Sequence, residues 1–118
     1  FRHPEYEHSK YTFEIAGADQ LIRWFDEYEQ ESGRALESTL VFPAFDYVLK
    51  CSHTFNLLDA GGAIGVSARA GYIGRVRSLT QRVCKLFLEE RRKLGFPLMK
   101  DRAAAQVWVE QLAPKEAV

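Results

Sequence analysis

Cysteine, proline and methionine are scarce in this chain: two, four and one among 118 residues. Two cysteines, Cys51 and Cys84, are too few for the disulfide framework of a small secreted domain. Both fall in helix-patterned stretches and are expected to be reduced and mostly buried. Net charge is absent too, since 16 Lys and Arg balance 16 Asp and Glu. No apolar run approaches the ~20 residues that cross a bilayer, so no membrane contact is expected. No charged-then-apolar segment opens the chain, which removes the usual mark of secretion. The first residue is Phe1 rather than Met, and the chain is read as a piece of a longer protein.

What is present is a 47% hydrophobic and 27% charged sequence. That suits one ordered domain with a core, and is too short for two typical ones. The zero balance hides an asymmetry. Residues 1–40 hold nine acids against four bases, whereas residues 61–100 hold nine bases against two acids. Two readings follow. The acidic segment packs near the basic one, or the basic face meets phosphate, because fields depend on where charge sits rather than on its sum.

The apolar spacing is helical throughout. Residues 1–18 are polar, with Pro4 and Gly17, and suggest an irregular lead-in with about one helical turn. Asp19 is a candidate N-cap. Leu21, Phe25, Tyr28, Ser32 and Ala35 then recur every three or four residues, which predicts a helix over 20–36 with Asp26, Glu27, Glu29 and Glu31 outward. Pro43 suits a first helical turn. Phe45, Val48, Leu49, Ser52 and Phe55 share one face of a second helix, 43–58, stopped by Gly61-Gly62. Ser67 is a candidate cap for the longest helix, 68–94, with Tyr72, Val76, Leu79, Val83 and Leu86 inward. Ile73, Thr80, Phe87 and Leu94 form its second stripe. Gly95 and Pro97 end it. A short helix over 102–112 carries Val107, Trp108 and Leu112, and residues 113–118 should fray. The sum is an all-α fold: an antiparallel bundle of three main helices plus short terminal ones, in a single domain over 19–112.

Chemistry-bearing constellations are missing. Gly61-Gly62 and Gly65 lack the strand before and the Lys-Ser/Thr after that a P-loop needs. His3 and His8 sit in the lead-in. Cys51 and His53 diverge by about 200° on a helix and cannot easily share a metal, so no metal site is assigned. Ser52 and His53 are adjacent, which points them apart and leaves no acid behind the imidazole. Glu89 and Glu90 beside Arg91, Arg92 and Lys93 fit a solvated, ion-paired helix end. No catalytic residue emerges. The remaining feature is a basic ladder, with Arg75, Arg82 and Lys85 able to share a side and Arg77 offset. It is either a solvated face or a grip on phosphate or an acidic partner.

One segment is distinctive. Ser52-His53-Thr54-Phe55-Asn56-Leu57-Leu58-Asp59-Ala60 resembles the S-H-x-F-N-L-L-D-A-R stretch of the alpha chain of bacterial two-chain glycine–tRNA ligases. Tyr11-Thr12-Phe13-Glu14 and Trp24-Phe25-Asp26-Glu27-Tyr28-Glu29 are similar to its Y-x-F-E and F-x-x-Y-E segments. Ala63-Ile64, Val66, Tyr72-Ile73, Arg75-Val76-Arg77 and Leu79 follow its A-I-S-V-T-E-R-x-x-Y-I-x-R-x-R-x-L pattern, and Leu94-Gly95-Phe96-Pro97-Leu98 its ending. The likeness spans about residues 9–99.

The resemblance implies a cytoplasmic class II synthetase that attaches glycine to tRNA(Gly) with ATP and Mg²⁺. It implies a C-terminal helical domain that packs on the parent catalytic domain, on the ligase beta chain or on tRNA. The alpha chain would form its homodimer through the catalytic domain, which holds the ATP and glycine motifs and is not represented in these residues. The fragment itself would then be inactive and hold no cofactor. His53, Asn56 and Asp59 would form a buried or interfacial polar set, and Arg75, Arg77, Arg82 and Lys85 would meet RNA or a partner. Three departures remove charge: Gly61 for the usual Arg, Ala68 for Glu, and Gly71 for a charged residue. No binding role is carried over to residues 61–71. The alternative is a divergent, non-catalytic interaction or RNA-binding module on the same scaffold.

Overall fold

A computed structural model describes residues 3–114, over extents of 56 × 41 × 25 Å. Every regular element among them is helical: α1 (His3–Lys10), running into a π-helical turn (Tyr11–Ile15), then α2 (Ala18–Glu37), α3 (Val41–Ala60), α4 (Val66–Lys93) and α5 (Arg102–Gln111). The three long helices form the expected antiparallel bundle. The lead-in departs from expectation by being helical almost throughout. Pro4 sits in the first turn of α1, where its missing N–H is not needed, and α1 buries nothing. Of the tail expected to fray, residues 115–118 lie outside the described residues.

The core mixes large apolar side chains with small ones. Leu21, Phe25 and Ser32 are buried on α2, and Ala44, Val48, Cys51, Thr54 and Leu58 on α3. Ser32 donates its hydroxyl to the Ala44 carbonyl at 2.9 Å, and Cys51 points its thiol at the Phe25 carbonyl. Ser32, Ala44 and Cys51 thus let the two helices approach closely. The α3 face is therefore rotated from the expected one. Phe45 and Leu49 stay exposed, Ser52 and Phe55 are half-buried, and Val48 alone of that set is fully inside. Phe25 of α2 occupies the space beside those small residues, which leaves Phe45 and Leu49 on the outer side of α3. From α4, Leu79 and Val83 complete the core, with Tyr72 and Val76 packed against it. The second stripe of α4 faces outward, with Ile73, Phe87 and Leu94 exposed. Cys84 lies on that outward side and is exposed, contrary to expectation.

Helix ends follow one device. At the ends of α2, α3 and α4, the residue after the cap has a positive φ: Thr39 at 58°, Gly62 at 72° and Gly95 at 73°. In each, its N–H and the next bond back into the last turn, as with Thr39 to Leu36 and Leu40 to Ala35. This satisfies carbonyls that a helix end leaves free. The caps at the other ends differ from expectation. Gly17 and Gly65, not Asp19 and Ser67, occupy the capping positions of α2 and α4. Asp19 and Ser67 fall inside the first turn, where an acid still favours the positive helix end. Asp101 does cap α5, accepting from the N–H groups of Ala103 and Ala104. Arg102 then donates to the carbonyls of Gly95, Phe96 and Met99, tying α5 to the end of α4.

Candidate interaction surfaces

The acidic and basic segments meet at Arg75. The helix spacing puts Asp26 and Glu29 one turn apart on α2, facing α4. Arg75 donates Nε to Glu29 Oε2 at 2.9 Å, and Nη2 to Glu29 Oε1 at 2.6 Å and Asp26 Oδ1 at 2.7 Å. Its guanidinium also lies over the rings of Phe25 and Tyr72, at 4.6 and 5.2 Å. The hydrogen bonds to Glu29, then Asp26, push its pKa above the ordinary Arg range although burial opposes them. All of this uses the planar fork of Arg. Arg75 is a bridge between helices, with its Nε and Nη2 donors engaged by Glu29 and Asp26. Cys51 lies close by. Burial, with Glu29 adding and Arg75 opposing, pushes its thiol up to about 11, which leaves it neutral and unreactive near pH 7.

The other three cations of the ladder behave differently. Arg77, Arg82 and Lys85 are exposed and make no ion pair among the described residues. Arg82 and Lys85 share a groove of about 770 Å³ where α2 ends beside α4, floored by Leu36, Leu86, Leu88 and Leu112. Glu37 and Glu89 edge it. Glu89 is held by Arg92 at 2.6 Å, and that bond holds its carboxyl below the usual carboxylate range. Arg77 lies in a separate cleft of about 260 Å³ between α3 and α4, beside Ser52, Asn56 and Ile73. The ladder is thus one bridge, one pair and one offset cation.

The polar set on α3 does not stay together. His53 and Asn56 are exposed and only Asp59 is half-buried, so burial is excluded for the first two. His53 opens onto a groove of about 630 Å³ between α2 and α3, lined also by Trp24, Tyr28 and Tyr11. Asn56 lies in the Arg77 cleft. Asp59 accepts from Arg69 Nε at 2.7 Å across the turn joining α3 to α4. Sequence reasoning missed this pair. Its signal was an acid at the end of one helix and a base at the start of the next, bracketing a glycine turn. Gly61 has a spatial reason as well: a Cβ there would lie 3.2 Å from the Thr12 carbonyl, so the π-helical turn packs on it. Gly71 meets no such neighbour, and nothing in the structure explains that glycine.

No group of three or more His, Cys, Asp or Glu among the described residues is placed to hold a metal. Gly62 closes a helix through its positive φ instead of cradling phosphate. No helix among them is long and apolar enough to cross a membrane. Compared with known protein families, residues 1–92 match the family model described as glycyl-tRNA synthetase alpha subunit. The match takes in α1 to α4 and stops before α5.

Proposed function

The chain belongs to the glycyl-tRNA synthetase alpha subunit family, and from that premise we propose that these helices support attachment of glycine to tRNA(Gly) by docking rather than by catalysis. ATP and Mg²⁺ are then handled by parts of the class II enzyme outside these helices. The surfaces dock on the parent catalytic domain, the beta chain or tRNA, in the cytoplasm, while the alpha-chain homodimer forms elsewhere. The observation that supports this reading is the division within the ladder. Arg75 is engaged inside the molecule, whereas Arg77, Arg82 and Lys85 stay exposed and make no ion pair among the described residues. Holding like charges together on one helix without internal partners is unfavourable alone, and is offset when an anionic surface binds.

The test is steady-state charging of tRNA(Gly) by the assembled enzyme carrying Arg77→Ala, Arg82→Ala and Lys85→Ala together. These exposed positions should leave stability within about 0.5 kcal/mol. Charging at limiting concentrations of tRNA and partner chain should fall about tenfold or more, with the deficit shrinking at saturation. Charging equal to the parent enzyme's under limiting conditions would remove docking from these residues.

A further inference from the structure

We infer that the groove where α2 stops alongside α4 is a docking site for an acidic amphipathic helix of a partner protein. This rests on the reading that Arg82 and Lys85 face outward to a partner, and adds what that partner is. The argument starts from direction. Ser32 pairs with Ala44 and Cys51 faces Phe25, so α2 and α3 run antiparallel. Phe55 and Asp59 of α3 meet Tyr72 and Arg69 of α4, so α4 reverses again. Hence α2 and α4 run parallel, with Asp26 and Glu29 at Arg75 and Leu36 at Arg82.

Arg75 and Arg82 are seven residues apart, about two turns, and occupy nearly the same face of α4. At Arg75 that face is covered by an acidic, apolar helix, α2, which supplies two carboxylates and the Phe25 ring. Two turns on, the same pattern recurs with its apolar floor open among the described residues. Arg82 and Lys85 flank a leucine floor, but α2 ends at Glu37 while α4 runs on to Lys93, with only the end of α5 bringing Leu112 to the groove. Leu88 and Leu112 remain 48% and 41% exposed there. The groove is the α2–α4 interface continued beyond the end of α2. What fits it is what fits the first half: a helix with apolar anchors at i, i+3, i+4 and i+7 and carboxylates beside them. An RNA backbone fits less well. It would gain nothing from the leucine floor.

Two pairs of exposed residues separate the outcomes: Leu88→Asp with Leu112→Asp, and Arg82→Ala with Lys85→Ala. The probe is a labelled helical peptide with leucines at i, i+3, i+4 and i+7 flanked by glutamates, titrated against the full chain. A version with lysines for glutamates is the control. The expected result is binding of the acidic peptide only, weakened at least tenfold by either pair, with tRNA(Gly) binding untouched by the leucine pair. Failure of the acidic peptide to bind, or binding indifferent to the leucine pair, would overturn the inference. A reduced salt slope for tRNA(Gly) in the arginine–lysine pair, with the leucine pair silent in tRNA charging, would overturn it in favour of RNA while the docking function stands. Undiminished tRNA charging in both pairs under limiting conditions would take both readings down.

Discussion

Arg75 and Arg82 look alike in the sequence and differ in fate because of what lies across from them. Arg75 meets two carboxylates and two rings; Arg82 meets the end of a helix. Spacing alone put both on one side of α4, but only the neighbouring helix decides which is engaged. The two cysteines divide in the same way. Cys51 is fully buried and its thiol is pushed up to about 11 from an ordinary value near 9.0, whereas Cys84 is exposed. Because the folded thiol holds its proton more tightly than the unfolded one, its contribution to stability is fully present below pH about 9. It is lost as the pH rises through about 11. Urea midpoints compared between the parent chain and Cys51→Ala should therefore converge over that window. A thiol reagent at pH 8 should label Cys84 at once and Cys51 only on unfolding. Equal rates for both would show that Cys51 is not sealed in the core.

Among the elements, the long helices were legible because their apolar spacing is regular. The first was expected over 20–36 and runs Ala18–Glu37; the last was expected over 68–94 and runs Val66–Lys93. The facing of α3 was not legible. Its apolar residues surround the helix, and the buried side was chosen by small residues that fit the α2 crossing, a property of the pair rather than of α3. Caps were misread where a glycine took the place of a side-chain cap. The end of α2 offers a prediction. Thr39, β-branched, holds the left-handed position that glycine holds at Gly62 and Gly95. That strain costs about 1 kcal/mol, partly offset in Gly by greater unfolded-state freedom. Thr39→Gly should raise stability by about 0.5 kcal/mol, read as a higher urea midpoint at constant slope. A lower midpoint would mean that the Thr39 hydroxyl bond to Ser38 outweighs the strain.

At the scale of the whole molecule, charge and fold answer each other. The acid-rich first third and the base-rich second half meet at one bridge, and the surplus cations face outward. That the segments pack was one of two readings open in the sequence, and Arg75 carries it, while Arg77, Arg82 and Lys85 face outward. Family membership was legible in the nonapeptide ending at Ala60, yet the placement of His53, Asn56 and Asp59 was not. Three residues on successive turns diverge once neighbouring helices claim different sides, so each ends at a different surface. The central claim is that these helices serve tRNA charging through their surfaces. It is tested most directly by measuring tRNA(Gly) charging by the parent alpha chain, together with its beta chain, with and without this helical region. The account predicts that removing the region cuts charging by at least tenfold even when the remaining protein is folded. Charging at the parent rate without it would contradict the claim and reduce these helices to a stabilising appendage.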